Sequence, residues 1–170
     1  MVGLVGITSA AAWFVGALDW PGMKRQIRER FPEVRQLEVE QLDAWLRDSG
    51  RPAPVLFDVR REEEFRVSHL TGARRLDPGA NPPELPPDVD TTTPIVLYCS
   101  VGYRSSRMAQ RLQDLGYSEV WNLEGSIFEW ANAGHPVERD GEPVEEVHPY
   151  DAIWGGRFLD RHLWAFEPDG

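Results

Sequence analysis

Two short apolar runs, each followed by a helical pattern, constrain the fold of this chain more than any other feature. Residues 55–59 read VLFDV and residues 95–98 read IVLY. Runs this short, rich in β-branched and aromatic side chains and bounded by turn residues, are typical of strands buried on both faces of a parallel sheet. We therefore predict an α/β fold with a mainly parallel sheet and helices on both of its faces.

The same alternation continues through the middle of the chain. Val39, Leu42, Trp45 and Leu46 recur at helical spacing and predict a helix over residues 39–48. The other predicted elements are a helix that starts at residues 62–64, a helix from near Ser105 to Gly116, a strand over residues 119–123 and a helix around residues 127–131. Six prolines within residues 77–94 predict an irregular surface connection.

Composition excludes several classes of function. The formal net charge of -10 and the isoelectric point near 4.8 leave no surplus of Lys and Arg to neutralise nucleic-acid phosphates. A single cysteine cannot form an intramolecular disulfide, and four scattered histidines do not form a zinc-ligand pattern. We expect no nucleic-acid partner, no metal and no cofactor. Cys99 is then either a buried apolar side chain or a reactive thiol.

The beginning of the chain is unusually apolar. Residues 1–18 carry no charged side chain, and Lys24, Arg25 and Arg28 follow them. This run is at the short end of what spans a bilayer, and its glycines lower its hydropathy. Two interpretations are open: residues 1–20 associate with a membrane, or they form a helix that packs on the domain. We predict a cytoplasmic protein, tethered to the inner face of a membrane if the run spans it.

These patterns divide the chain into three parts. Residues 1–33 are an N-terminal apolar segment with a basic linker, residues 34–137 are the α/β domain, and residues 138–170 are an extension that is first acidic and then aromatic. Three interpretations of the extension are open, since it can pack on the domain, pair with a partner chain or lie on a membrane surface. Packing is the commonest arrangement for clustered aromatic side chains.

The candidate functional residues form a loop between the strand that ends at Tyr98 and the next helix. They are Cys99, Ser100, Val101, Gly102, Tyr103, Arg104 and Ser105. Ligands of open parallel sheets bind at the carboxyl ends of the strands, which is where Cys99 falls. The N–H groups at a helix N-terminus stabilise an anion, so the loop favours a thiolate with no neighbouring histidine. Gly102 permits a tight turn, and Arg104 adds a positive charge for an anionic group.

Four motifs in order resemble the rhodanese family. Cys99, Gly102, Arg104 and Ser105 match the C-x-x-G-x-R-S loop of single-domain rhodaneses. Residues 56–60, 64–65 and 68–73 are similar to the D-V-R, E-[FY] and G-H-I-x-G-A signatures, and residues 123–137 resemble the late motif with its Trp, Gly and Pro. Four motifs in register are a strong signal. The resemblance covers about residues 34–137 and implies the three-layer rhodanese-like fold.

The resemblance also implies a sulfurtransferase. Cys99 would attack the outer sulfur of a small anionic donor such as thiosulfate, hold it as a persulfide and pass it to cyanide or a thiol. The N–H groups of residues 100–105 would stabilise the charge, and Arg104 would either orient the donor or pair with a carboxylate. Asp58 and Arg60 would line the pocket or, as we favour, hold the loop by ion pairing. His69 is interpreted as structural.

Some positions depart from the family pattern, and other functions stay open. Ser100 stands where many members have Arg, and Ser68 and Ser126 replace glycines. Rhodanese-like phosphatases and arsenate reductases have five residues between Cys and Arg, whereas four separate Cys99 from Arg104. A sulfur-relay protein or a non-catalytic docking module would have the same fold. The retained Cys99 argues against the docking module, while the relay would use the same chemistry and an unidentified protein acceptor.

Overall fold

A five-stranded parallel sheet is the centre of the structure, a computed structural model that describes residues 19–168. The strands in chain order are β1 (Arg35–Leu37), β2 (Val55–Asp58), β3 (His69–Leu70), β4 (Arg74–Arg75), β5 (Ile95–Tyr98), β6 (Val120–Leu123), β7 (Val137–Arg139) and β8 (Glu142–Val144). The central sheet has the order β1-β6-β5-β2-β4, and every adjacent pair in it is parallel. All four residues of β5 are buried, as expected for the middle strand.

Six α-helices accompany the strands within residues 19–168. They are α1 (Trp20–Arg30), α2 (Val39–Arg47), α3 (Glu62–Val67), α4 (Tyr103–Asp114), α5 (Ser126–Asn132) and α6 (Ala152–Phe158), and a short 3-10 helix covers Arg161–Leu163. The predicted α/β fold class is confirmed. Helix α4 begins two residues earlier than predicted, because Gly102 adopts a left-handed conformation with φ of 109° and the helix starts immediately after it. The proline-rich residues 77–94 contain no helix or strand, as predicted.

A second, three-stranded antiparallel sheet was not predicted from the sequence. It has the order β3-β7-β8, and β7 and β8 form a hairpin in residues that include the beginning of the acidic extension. Asp140 and Gly141 connect the two strands, both with positive φ, at 53° and 82°. Two residues of this kind form the tight turn whose twist suits a hairpin. The Asp-Gly pair was therefore the sequence signal for this element.

Both flanking segments contribute to the same hydrophobic core as the sheet. Met23 and Ile27 of α1, in the stretch interpreted as a basic linker, are each 1% exposed. Val147 and Phe158 of the C-terminal extension belong to the same buried cluster. The Ser68 hydroxyl donates to the main-chain oxygen of Glu146 at 2.6 Å and attaches the extension to the turn before β3. Of the three interpretations of the extension, packing on the domain is the one that the structure shows.

The predicted membrane segment lies almost wholly outside the described residues. Residues 1–18 are not among them, and residues 20–30 form α1. Over residues 19–168, none of the helices combines the length and the apolar character needed to cross a bilayer.

Candidate active site

The Cys99 loop lies between two helix N-termini at the carboxyl end of β5. Helix α4 follows the loop, and the first turn of α5 contacts it from the neighbouring connection. The main-chain N–H of Ile127 donates to the Cys99 carbonyl, and that of Phe128 donates to the Ser100 carbonyl, both at 3.2 Å. These hydrogen bonds use donors that a helix N-terminus otherwise leaves unpaired. The loop is therefore fixed through its own carbonyl groups.

The Cys99 sulfur accepts two hydrogen bonds from the beginning of α4. The Gly102 N–H donates to Sγ at 3.2 Å, and the Ser105 hydroxyl donates at 3.5 Å. Burial raises the pKa of the thiol, but the charge of Arg104 and the hydrogen bonds of Ser105 and Gly102 lower it, and the net pKa lies below the ordinary value. The predicted set of N–H donors from residues 100–105 is thus represented at the sulfur by Gly102 and Ser105.

Ser126 positions Cys99, a role that was not predicted. Its hydroxyl accepts a hydrogen bond from the Cys99 N–H at 3.1 Å and donates to the Leu123 carbonyl at 3.0 Å. The residue has φ of 52°, in the left-handed region that suits glycine, which explains why the family pattern has Gly there. The hydroxyl gives the buried Cys99 N–H a partner that glycine would not supply. The departure from the family pattern was the available sequence signal.

Arg104 forms an ion pair with Glu64 of α3. Its Nη1 and Nη2 donate to Glu64 Oε2 and Oε1 at 2.7 and 2.8 Å, and Nη2 also donates to the Ser100 hydroxyl at 2.8 Å. Burial raises the pKa of Glu64, but the hydrogen bonds and charge of Arg104 outweigh it and hold the value at about 2. Glu64 is therefore an ionised partner of Arg104. Of the two roles considered for Arg104, the structure shows the ion pair. The positive charge of the Arg104 guanidinium still favours the Cys99 thiolate.

Asp58 and Arg60 hold the chain after β2 and do not line the cavity at Cys99. Both residues are fully buried, and Arg60 Nε and Nη2 donate to the Asp58 carboxylate at 2.9 and 2.6 Å. Arg60 Nη2 also donates to the Ser68 carbonyl at 2.5 Å. His69 stacks on Phe65 with ring centroids 3.9 Å apart, which agrees with a structural role. These contacts connect β2, the turn before β3 and the C-terminal extension that Ser68 contacts.

A cavity of about 250 Å³ lies against Cys99. Its wall residues are Met23, Cys99, Ser100, Val101, Tyr103, Arg104, Tyr150 and Trp154. Only 1% of the Cys99 surface is exposed, and this cavity is where the residue borders open space. Met23, Tyr150 and Trp154 were not predicted as site residues, because they come from the two flanking segments. Within residues 19–168 no group of three or more His, Cys, Asp and Glu side chains is placed to hold a metal ion.

A comparison of the sequence with known protein families identifies the family of this chain. The sequence profile of the Rhodanese-like domain family matches residues 38–133, more than half of the chain. The chain belongs to the rhodanese family. The loop at residues 99–105, the Asp58–Arg60 pair and Ser126 all lie within the match. The Tyr150 and Trp154 wall of the cavity lies outside it.

Several proteins of known sequence are similar to this rhodanese-family chain. The uncharacterized protein YqhL of Bacillus subtilis is 37% identical over 48% of this chain and 64% of its own length. An uncharacterized Synechocystis protein is 35% identical over 63% of this chain and 60% of its own length. The tRNA uridine(34) hydroxylase of Cronobacter sakazakii is 29% identical over 73% of this chain but only 36% of its own length. The chain thus spans less than two thirds of each of these relatives.

Solved structures confirm the fold. A Rhodopseudomonas palustris protein of unknown function, described as a possible tyrosine phosphatase, aligns with a TM-score of 0.56 at 24% identity over 78% of this chain and all of its own. A rhodanese-like domain protein of Staphylococcus aureus gives 0.54 at 21% identity, over 63% of this chain and 99% of its own. Thiosulfate sulfurtransferase of Pseudomonas aeruginosa gives 0.51 at 20% identity, over 70% of this chain and 22% of its own. At these identities the likeness concerns the fold alone.

Proposed function

We propose that the protein is a sulfurtransferase that carries sulfane sulfur on Cys99 as a persulfide. The observation that carries this proposal is the sulfur itself, which accepts hydrogen bonds from Gly102 and Ser105 and faces a cavity. A thiolate is the form of cysteine that acts as a nucleophile. Hydrogen bonds from a main-chain N–H and a hydroxyl, together with the Arg104 charge, favour that form without a general base.

The reaction proceeds in two balanced steps. In the first, the Cys99 thiolate attacks the outer sulfur of thiosulfate, a Cys99–sulfur bond forms, the sulfur–sulfur bond of the donor breaks and its electron pair leaves with sulfite. In the second, the persulfide anion takes a proton from water, an acceptor thiolate or cyanide attacks its outer sulfur, and the product releases that proton to water again. The new bond carries that sulfur to the acceptor as a persulfide or thiocyanate, and the electron pair of the broken bond returns to Cys99. No external oxidant or reductant is consumed.

Two observations weigh against a phosphatase or arsenate reductase. Four residues separate Cys99 from Arg104, one fewer than the loop of those enzymes has. The Arg104 guanidinium is also occupied by the Glu64 carboxylate and the Ser100 hydroxyl. A tetrahedral oxyanion would have to compete with a buried carboxylate for the same donors. The group that the proposed transferase holds in the loop between its two steps is one sulfur atom, which does not need these donors.

The sulfur-relay alternative uses the same atoms and differs only in its partners. A relay protein would accept sulfur from a protein donor and give it to a protein acceptor through Cys99. The activities named for the relatives belong to proteins of which this chain spans a part, so they do not choose between a small acceptor and a protein. The docking-module alternative requires no thiolate, and the lowered pKa of Cys99 favours the transferase over it.

Intact-mass measurement tests the proposal directly because Cys99 is the single cysteine. Wild-type protein treated with excess thiosulfate should gain one sulfur atom, and addition of cyanide should remove it and release thiocyanate. Cys99→Ser should show neither change. Ser105→Ala should load more slowly, since one hydrogen bond to the thiolate is lost. Failure of the wild-type protein to gain sulfur both from thiosulfate and from a small organic persulfide would refute the transferase assignment.

A further inference from the structure

The wall of the Cys99 cavity is mostly apolar. Met23, Val101 and Trp154 contribute apolar side chains, and the Tyr150 ring lies beside them. Arg104 is the one positively charged wall residue, and its guanidinium is already paired with Glu64. A small dianion such as thiosulfate would bind weakly in this space, because it loses hydration without meeting an unpaired cation. Excess thiosulfate can therefore load Cys99 without being the ligand that the cavity fits best. An apolar cavity of about 150 Å³ is enough for benzene, so about 250 Å³ accommodates an aromatic or branched aliphatic group.

A second cavity, of about 260 Å³, adjoins the first and has the opposite character. The two cavities share Tyr103, Arg104 and Tyr150 as wall residues. Arg104 recurs with Arg107 and Arg111 at intervals of three and four residues, so these three side chains lie on one face of α4. Arg107, Arg111 and also Arg61 line the second cavity, and none of its lining residues within 19–168 is acidic.

Two arginines of the second cavity, Arg107 and Arg111, have no acidic partner within residues 19–168, whereas Arg61 forms an ion pair with Glu63 at 3.8 Å. Arg107 is exposed, and its side chain forms no hydrogen bond or ion pair with any residue that the structure describes. Arg111 donates to the Ala80 carbonyl and, at 2.9 Å, to Asn81 Oδ1, and both of these acceptors are neutral. The chain as a whole has a net charge of -10, so this arginine-lined cavity is a local concentration of positive charge close to the Cys99 cavity.

We propose that the two cavities together bind a small organic thiol or persulfide in which an apolar body links the sulfur to an anionic group. The apolar body lies in the Cys99 cavity with its sulfur at Sγ, and the anionic group lies among Arg61, Arg107 and Arg111. This assignment rests on the proposed function for the role of the sulfur, and it names the class of donor or acceptor. Arginine suits carboxylate, sulfonate and phosphate alike, because each presents paired oxygen atoms to its fork of donors.

Protection of Cys99 from iodoacetamide tests binding without any transfer step. The probes are 4-(methylthio)benzoate and its neutral counterpart 4-(methylthio)benzamide, which share a ring and cannot donate or accept sulfur. We expect the benzoate to protect the wild-type thiol at a concentration roughly three- to tenfold lower than the amide requires, as for one or two partly exposed ion pairs. Equal protection by the two probes, or protection by neither at millimolar concentration, would overturn the proposal.

Variants separate the charged and apolar parts of the site. Arg107→Gln should reduce the benzoate preference, because Arg111 remains, and Arg107→Glu should abolish or reverse it. Arg25→Gln and Arg25→Glu are matched controls, because Arg25 is an exposed residue of α1 that lines neither cavity. Trp154→Ala should weaken protection by both probes and leave their ratio unchanged. A benzoate preference that survives Arg107→Glu would also overturn the proposal.

The outcome is distinguishable from that of the thiosulfate experiment. Benzoate preference in a protein that neither thiosulfate nor a small organic persulfide loads would refute the transferase and leave the binding site. Loading by thiosulfate without any benzoate preference would support the transferase and refute the amphiphilic ligand. Each of the two proposals can therefore be refuted without refuting the other.

Discussion

Replacement of the Glu64–Arg104 pair by neutral amides should separate its contribution to stability from its effect on the thiol. Two hydrogen bonds of 2.7 and 2.8 Å join the pair, and the Glu64 side chain is 2% exposed. Removal of one partner of a buried pair leaves an uncompensated charge, which costs about 3–5 kcal/mol. We expect Arg104→Gln to lower the free energy of unfolding by about 3 kcal/mol, because the Arg104 side chain is itself 26% exposed.

The double variant Glu64→Gln/Arg104→Gln should recover most of that loss, since it leaves no unpaired charge. The pKa of Cys99 should nevertheless rise in both variants that lack Arg104, because the guanidinium charge is one of the groups that lower it. In the double variant the free energy of unfolding should therefore be close to that of the wild type, while the pKa of Cys99 stays raised.

Urea denaturation measures the stability, and the pH dependence of the iodoacetamide rate measures the thiol pKa. The exposed pair of Arg74 and Asp88, at 2.7 Å, provides the control. Arg74→Gln should change the free energy of unfolding by less than about 1 kcal/mol and leave the thiol pKa unaltered. A double variant whose Cys99 titrates like the wild-type thiol would refute the electrostatic role of Arg104 and leave the hydrogen bonds to the sulfur as the whole cause.

Three further outcomes are expected. Ser126→Ala should destabilise the fold by about 1 kcal/mol more than Ser126→Gly, because both lose the hydroxyl that binds the Cys99 N–H but only alanine keeps the left-handed strain; equal urea midpoints would contradict this. Gly102→Ala should cost about 1–2 kcal/mol in the same assay and slow alkylation of the thiol, since φ is 109° there. The pKa of Glu64 falls from 4.5 to about 2 on folding, so its stabilisation is complete above pH 4.5 and is lost as the pH falls toward 2, by at most about 3 kcal/mol. Acid titration of Glu64→Gln should lack that loss.

The sequence predicted the central part of this site because its signals are local. The apolar run at Ile95–Tyr98 matches β5 residue for residue. Cys99 then follows the strand directly, and the helical periodicity after it placed the loop at a helix N-terminus. Each of these inferences depends on neighbours within a few residues, where hydrophobic pattern and turn chemistry decide the structure.

The partners of the loop could not be predicted in the same way. Glu64 was recognised only at the predicted start of a helix and in the E-[FY] signature, and its partner Arg104 lies 40 residues further along the chain. Tyr150 and Trp154 were recognised only as part of an aromatic extension. Their places depend on how α3 and the extension pack, which is a property of the tertiary fold. Ser126 is the intermediate case, since its position was marked as a departure but its hydrogen bonds were not foreseen.

The origin of the cavity walls bears on how such a protein can change its selectivity. The reactive loop comes from the stretch shared with other family members, whereas Met23, Tyr150 and Trp154 come from the two ends of the described chain. Exchange of these end segments would reshape the entrance without altering a single donor to the sulfur. A fragment trimmed to residues 38–133 would retain the thiol and lose these three residues from the wall of the Cys99 cavity. Diversification at the ends can therefore proceed while the chemistry in the middle is kept.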